Sequence, residues 1–174
     1  WNALKLLNDK GEFVSGSDGA EILELAEGGE ISYAEVDDLG LHTEDTDGMQ
    51  WHIDQILALS SVDAELVASK NFNVVIDAVH SSGSVAIPML LDKMGVDYNN
   101  LYPEPNGQFP HNPEPLEKHL TEIITECASG SYDMGIVVDP DVDRLAFVCE
   151  DGTVFGEEYT LVAVADHILS IKKG

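Results

Sequence analysis

Met134-Gly135-Ile136-Val137-Val138-Asp139-Pro140-Asp141-Val142-Asp143-Arg144 decides the fold of this chain. Its first five residues are an apolar run, and a run of that length bounded by turn residues predicts a buried strand. The strand ends in an acidic loop. Working outward, 145–149 predicts another strand, followed by an Asp151-Gly152 turn into 153–155. Upstream, residues 116–128 predict an amphipathic helix with Leu116, Leu120, Ile123, Ile124 and Cys127 on one side. Before it, 72–76 predicts a short strand ending at Asp77. Small residues at Ser81-Ser82-Gly83-Ser84 then lead into a helix over 85–94, with Pro88 in its first turns. A loop or weak strand covers 96–102. Alternating strands and helices predict an α/β fold, a three-layer α/β/α domain with a mixed, mainly parallel sheet, in which the Asp-Gly turn adds an antiparallel strand at one edge. This domain is placed at residues 71–174.

A partial α/β domain precedes it over residues 1–48, and 49–70 form a helical connector. Residues 1–14 predict two short strands around a turn at Asp9-Lys10-Gly11. Ser17-Asp18 is expected to cap a helix over 18–28, with Ile22, Leu23, Leu25 and Ala26 on one face and Gly28-Gly29 as its stop. Residues 30–48 read as an acidic loop with at most one short strand. Helices are expected over 49–59 and 62–69.

Composition narrows the function. The chain has 174 residues, 33 acids against 8 bases, and a net charge of −25. Eight cations among that many anions make no basic face for nucleic acid, and an anionic membrane surface repels such a chain. No run approaches the length of a membrane span. The two cysteines, Cys127 and Cys149, lie in apolar segments without metal or redox spacing. They read as thiols in a reducing, cytoplasmic setting. The first residue is Trp1, not methionine, so the chain is expected to be a piece of a longer protein.

The chemistry concentrates in 139–144. Asp139, Asp141 and Asp143 alternate after a strand end. They converge only if the loop curls, and convergence in a partly dehydrated site is costly without a cation. A hard divalent ion with oxygen ligands removes that cost, which points to Mg²⁺. Strand carboxyl ends are where open α/β sheets gather ligands. Arg144 is the sole arginine, and its guanidinium suits a phosphate oxygen. The plainer alternative is an acidic turn paired with Arg144. An EF-hand is disfavoured, because its sixth position would be Arg144 instead of glycine and its flanks are strands.

Two further segments stand out. Residues 103–115 hold five of the seven prolines, giving a stiff, extended stretch that fixes Phe109 and His111. Its simplest role is a strap between sheet and helix. The turn at 77–84 exposes backbone N–H groups suited to an anion, although N-capping by Ser82 or Ser84 is the simpler expectation. The other histidines have no metal-ligand spacing.

Asp-Pro-Asp-Val-Asp-Arg at 139–144 resembles the Asp-Gly-Asp-Gly-Asp-Arg magnesium loop of the phosphohexomutases, the phosphoglucomutase/phosphomannomutase superfamily. The proline-rich stretch 105–115 and the small-residue turn 77–84 are similar to elements of the same family, in the same order. Asn2-Ala3-Leu4-Lys5 looks like the family's Asn-Gly-x-Lys, which follows its phosphoserine loop. The resemblance implies Mg²⁺ on Asp139, Asp141 and Asp143, a phosphoryl contact for Arg144, and an active-site role for Lys5. It implies a mutase that moves phosphate between the C1 and C6 oxygens of a hexose phosphate through a phosphoserine and a bisphosphate intermediate. It also implies that the phosphoserine, sugar-recognition loop and phosphate clamp lie outside these residues, and that the piece alone is inactive. Pro140 and Val142 replace glycines and fit an extended loop. Two readings from other classes compete. One is a metal-dependent phosphatase-type α/β enzyme, which would need Asp-x-Asp-x-Thr where Asp143 stands. The other is a non-catalytic acidic domain that recruits a basic partner.

Overall fold

The computed structural model describes residues 5–28 and 31–172, and it divides the chain into two compact units, 1–44 and 45–174. In the first unit, Leu7 and Phe13 form a single antiparallel bridge around a turn whose Gly11 has φ +76°. Two strands were expected there. Asn8 takes over the donors a longer ladder would use, its Oδ1 accepting from the N–H groups of Lys10 (2.9 Å) and Glu12 (3.0 Å). The start of the first expected strand, 1–4, lies outside the described residues.

Helix α1 (Gly16–Glu27) is capped by Ser15, not by the expected Ser17-Asp18. Ser15 Oγ accepts from Asp18 N at 3.2 Å, and Asp18 Oδ2 accepts from Ser15 N at 3.3 Å. This reciprocal box satisfies two donors that a later start would orphan. No residue of α1 is buried, so its apolar Ile22, Leu23 and Leu25 stay exposed within the unit. Residues 31–44 contain a single 3₁₀ turn, Val36–Asp38, and no strand.

The second unit opens with α2 (Gly48–Leu57), which buries Ile53, and α3 (Ala64–Ala68), capped by Asp63. Strand β1 (Asn73–Asp77) leads to α4 (Gly83–Met94), β2 (Asp97–Asn100), α5 (Thr121–Ala128), β3 (Met134–Val138), β4 (Leu145–Cys149), β5 (Val154–Phe155) and α6 (Glu157–Ile171). The sheet order is β2-β1-β3-β4-β5. β2 and β3 both pair parallel to β1, whereas β3–β4 and β4–β5 are antiparallel. β4 alone is therefore reversed, and the acidic loop is the connection of a β3–β4 hairpin.

Strand alternation builds two cores, one per face. Val75, Val137, Ala146 and Val148 pack with Leu120, Ile123 and Cys127 on the α5 side. Val74, Ile76 and Val138 pack with Ala78, Leu91 and Val96 on the α4 side. Each fully buried aliphatic side chain contributes about 1.5–3 kcal/mol. Gly135 lets α5 approach β3, since a Cβ there would lie 2.9 Å from Ile123 Cδ1 and 3.0 Å from Cys127 Sγ. The helix expected over 116–128 is split. Leu116 is extended and half-exposed after Pro115, a 3₁₀ turn covers Glu117–His119, and α5 follows. Among the described residues no helix is long and apolar enough to cross a membrane.

Candidate metal centre

β3 delivers Asp139 to the carboxyl end of the sheet, 5% exposed. The loop then curls tightly. Val142 N donates to Asp139 O, and Asp139 Oδ1 accepts from the N–H groups of Asp143 and Arg144, all at 3.1 Å. One carboxylate oxygen from each of Asp139, Asp141 and Asp143 lies within 4.8 Å of the others. Val142 reverses the chain with φ +59°, which corrects the expected extended loop. Val142 takes the left-handed conformation in this six-residue hairpin connection, which the fixed φ of Pro140 cannot adopt. Val142 offsets the strain by packing on the core that contains Ala78 and Val138.

Burial raises Asp139 above the usual carboxylate range; the Arg144 backbone N–H opposes this, and the charges of Asp143 and Asp141 push it up further. The penalty falls on the buried Asp139, while Asp141 and Asp143 bring their carboxylates to it from the exposed side of the loop. A hard cation would relieve that penalty and find an all-oxygen donor set, so the residues fit a divalent ion of the Mg²⁺ type.

Arg144 stands beside them. Its Nε is 3.9 Å from Asp139 Oδ2 and 3.9 Å from Asp143 Oδ1, and its NH1 pairs with Glu114 Oε2. The Glu114 hydrogen bond and charge hold the guanidinium above its ordinary value.

The strap and the turn after β1 join the same end of the sheet. Asp77, 1% exposed, accepts from His111 Nε2 at Oδ2 (2.8 Å) and from Val79 N at Oδ1 (3.2 Å). His111 Nδ1 faces Asn112 O at 2.8 Å, so both ring nitrogens lie against oxygen atoms. Gly107 N donates to His80 O, and His80 Nδ1 meets Glu104 O at 2.8 Å. Tyr102 lies against both rings, with centroids 5.2 Å from His80 and 5.9 Å from His111. Its hydroxyl donates to Glu122 at 2.6 Å, and burial followed by the Glu122 carboxylate pushes its pKa up.

The expected N-cap is not made. Ser82 occupies the cap position in a helical conformation, and its Oγ donates instead to Pro140 O at 3.1 Å. Ser84 Oγ donates to Tyr102 O at 2.7 Å. The two serines tie turn, loop and strap together in place of capping α4.

The structure therefore gathers Asp139, Asp141, Asp143 and Arg144, as the spacing suggested. Lys5 is exposed and belongs to the first unit, and most of its motif lies outside the described residues. Sequence reasoning missed Asp77 and Glu114. The only local hint was the Pro113-Glu114-Pro115 frame, which fixes the backbone on either side of one carboxylate.

A family profile described as "Phosphoglucomutase/phosphomannomutase, alpha/beta/alpha domain II" matches residues 50–152. A protein named "Probable phosphoglucosamine mutase" from Methanopyrus kandleri is 28% identical over 173 residues, covering 99% of this chain and 37% of that protein. A "Phosphoglucomutase/phosphomannomutase" from Thermococcus kodakarensis is 30% identical over 171 residues, covering 97% and 37%. The chain thus spans little more than a third of the length of these curated relatives. A solved phosphoglucomutase/phosphomannomutase family protein from Burkholderia thailandensis superposes with a TM-score of 0.55 at 24% identity, over 68% of this chain and 26% of that one, a likeness of fold. The profile covers more than half of the chain, and the chain belongs to the phosphoglucomutase/phosphomannomutase family.

Proposed function

We propose that this chain is the cation-holding part of a phosphosugar mutase, an isomerase that moves phosphate between the C1 and C6 oxygens of a hexose phosphate. The observation that carries the reading is the convergence of Asp139, Asp141 and Asp143 beside the sole arginine at the end of β3. These three carboxylates would hold Mg²⁺, which when bound neutralises charge on a transferring phosphoryl group. Arg144 offers the N–H groups not engaged by Glu114 to phosphoryl oxygens. Lys5 would act near a phosphoserine contributed by the full-length protein. A reducing, cytoplasmic setting suits Cys127 and Cys149, both free thiols.

The test is Asp141→Asn in the full-length protein, assayed for interconversion of hexose 1- and 6-phosphates with Mg²⁺. A loss of about a hundredfold or more is expected, since a metal's charge stabilisation is worth several kcal/mol and each 1.4 kcal/mol is tenfold. Full activity in that variant would remove the metal role.

A further inference from the structure

Arg144 stands beside a set of like-charged carboxylates, yet it does not close on Asp139 or Asp143. Its Nε stops 3.9 Å from Asp139 Oδ2 and 3.9 Å from Asp143 Oδ1, beyond hydrogen-bond length. What engages the guanidinium directly is Glu114, through NH1.

Glu114 arrives on a preset backbone. Pro113 and Pro115 flank it, and the residue before a proline is driven to an extended conformation. Its N–H donates to Asn112 Oδ1 at 3.0 Å, and its carbonyl accepts from Leu116 N at 2.7 Å. Three residues earlier, His111 is pinned to the buried Asp77 at 2.8 Å. The carboxylate that meets Arg144 is thus anchored from β1, independently of the acidic loop. A long arginine side chain lacking this partner has a ready alternative: to close the two 3.9 Å gaps and become the counter-ion of the triad.

We propose that Glu114 is a positioning residue that holds Arg144 beside the three aspartates without letting it occupy them, leaving their oxygens for the cation and the free guanidinium edge for a phosphoryl oxygen. This rests on the metal reading above and adds a residue to it. Glu114 touches neither cation nor substrate and acts through Arg144.

The test is Mn²⁺ binding to the full-length protein, read from the free-ion electron paramagnetic resonance signal at fixed pH. Glu114→Ala should weaken binding about fivefold, the scale a half-exposed ion pair supplies. Glu114→Gln keeps an acceptor for Arg144 and should fall between. Arg144→Ala should bind at least as tightly as the unmodified protein. The deciding comparison is Glu114→Ala in the Arg144→Ala background, where the change should shrink to within about twofold. A similar loss in both backgrounds would show that Glu114 contributes charge alone, and would overturn the positioning role while leaving the metal site intact. Absence of Mn²⁺ binding by the unmodified protein, or binding indifferent to Asp141→Asn, would overturn the metal reading and this inference with it.

Discussion

Replacing His111 by alanine should cost the second unit about 3 kcal/mol. Asp77 is 1% exposed and its Oδ2 relies on His111 Nε2 at 2.8 Å, while Oδ1 keeps a single 3.2 Å bond from Val79 N. Removing one partner of a buried pair costs about 3–5 kcal/mol, because the remaining charge is stranded. The His111 side chain is 19% exposed, so water gains a path to the carboxylate, and the low end of that range applies. The edge-on contact with Tyr102 is lost as well. In urea, with a slope of about 2 kcal/mol per molar, the unfolding midpoint should fall by about 1.5 M. Adding Asp77→Asn to His111→Ala should recover much of the loss, since a neutral amide is far cheaper to bury than an ion. A midpoint shift below about 0.3 M in the single variant, about 0.6 kcal/mol, would refute the claim that this pair anchors the strap. So would a double variant no more stable than the single one.

Two other outcomes follow from the same geometry. Gly135→Ala should destabilise by about 1–3 kcal/mol, because the new methyl meets Ile123 Cδ1 at 2.9 Å; Ile123→Val removes that atom, so in chemical denaturation the pair should lose less than the sum of the singles. Asp139 has a folded-state pKa raised by burial and by Asp143 and Asp141, above an unfolded value of about 3.9. Its contribution is therefore full below about pH 4 and lost as pH rises through the raised value. Metal-free protein should lose stability across that window, and Asp139→Asn should flatten the loss; parallel urea-midpoint profiles for the two proteins would contradict this.

The residues that were legible are those whose neighbours in sequence set their state. β3 and β4 fall where the apolar runs place them, since Asp133 and Asp139 bound one and Arg144 and Glu150 the other. The triad was readable for the same reason, as three carboxylates at alternate positions after a strand end. β2 was only a weak expectation because Asp97-Tyr98-Asn99-Asn100 has no apolar periodicity; pairing with β1 imposes its extended form. The α1 start shifted because Ser15 and Ser17 are both competent caps, and only Ser15 has an acid at the third helical position to reciprocate. The clasp was illegible. His111 meets Asp77 across 34 positions, Arg144 meets Glu114 across 30, and Ser82 meets the Pro140 carbonyl across 58. Such partners are chosen by how strands stack, which no local pattern records.

Val142 carries a consequence for how the acidic loop responds to its surroundings. A branched side chain at φ +59° sits in a region that disfavours it by about 1–2 kcal/mol, and packing beside Ala78 and Val138 keeps it there. That cost is met once, when the domain folds, and not again when a ligand arrives. A glycine in its place would leave the loop free to sample many shapes and would have to surrender that freedom on each association. Here readiness takes the place of adaptability: the loop stands already curled, so a ligand that fits its shape meets little ordering cost, and one that does not finds little room for adjustment.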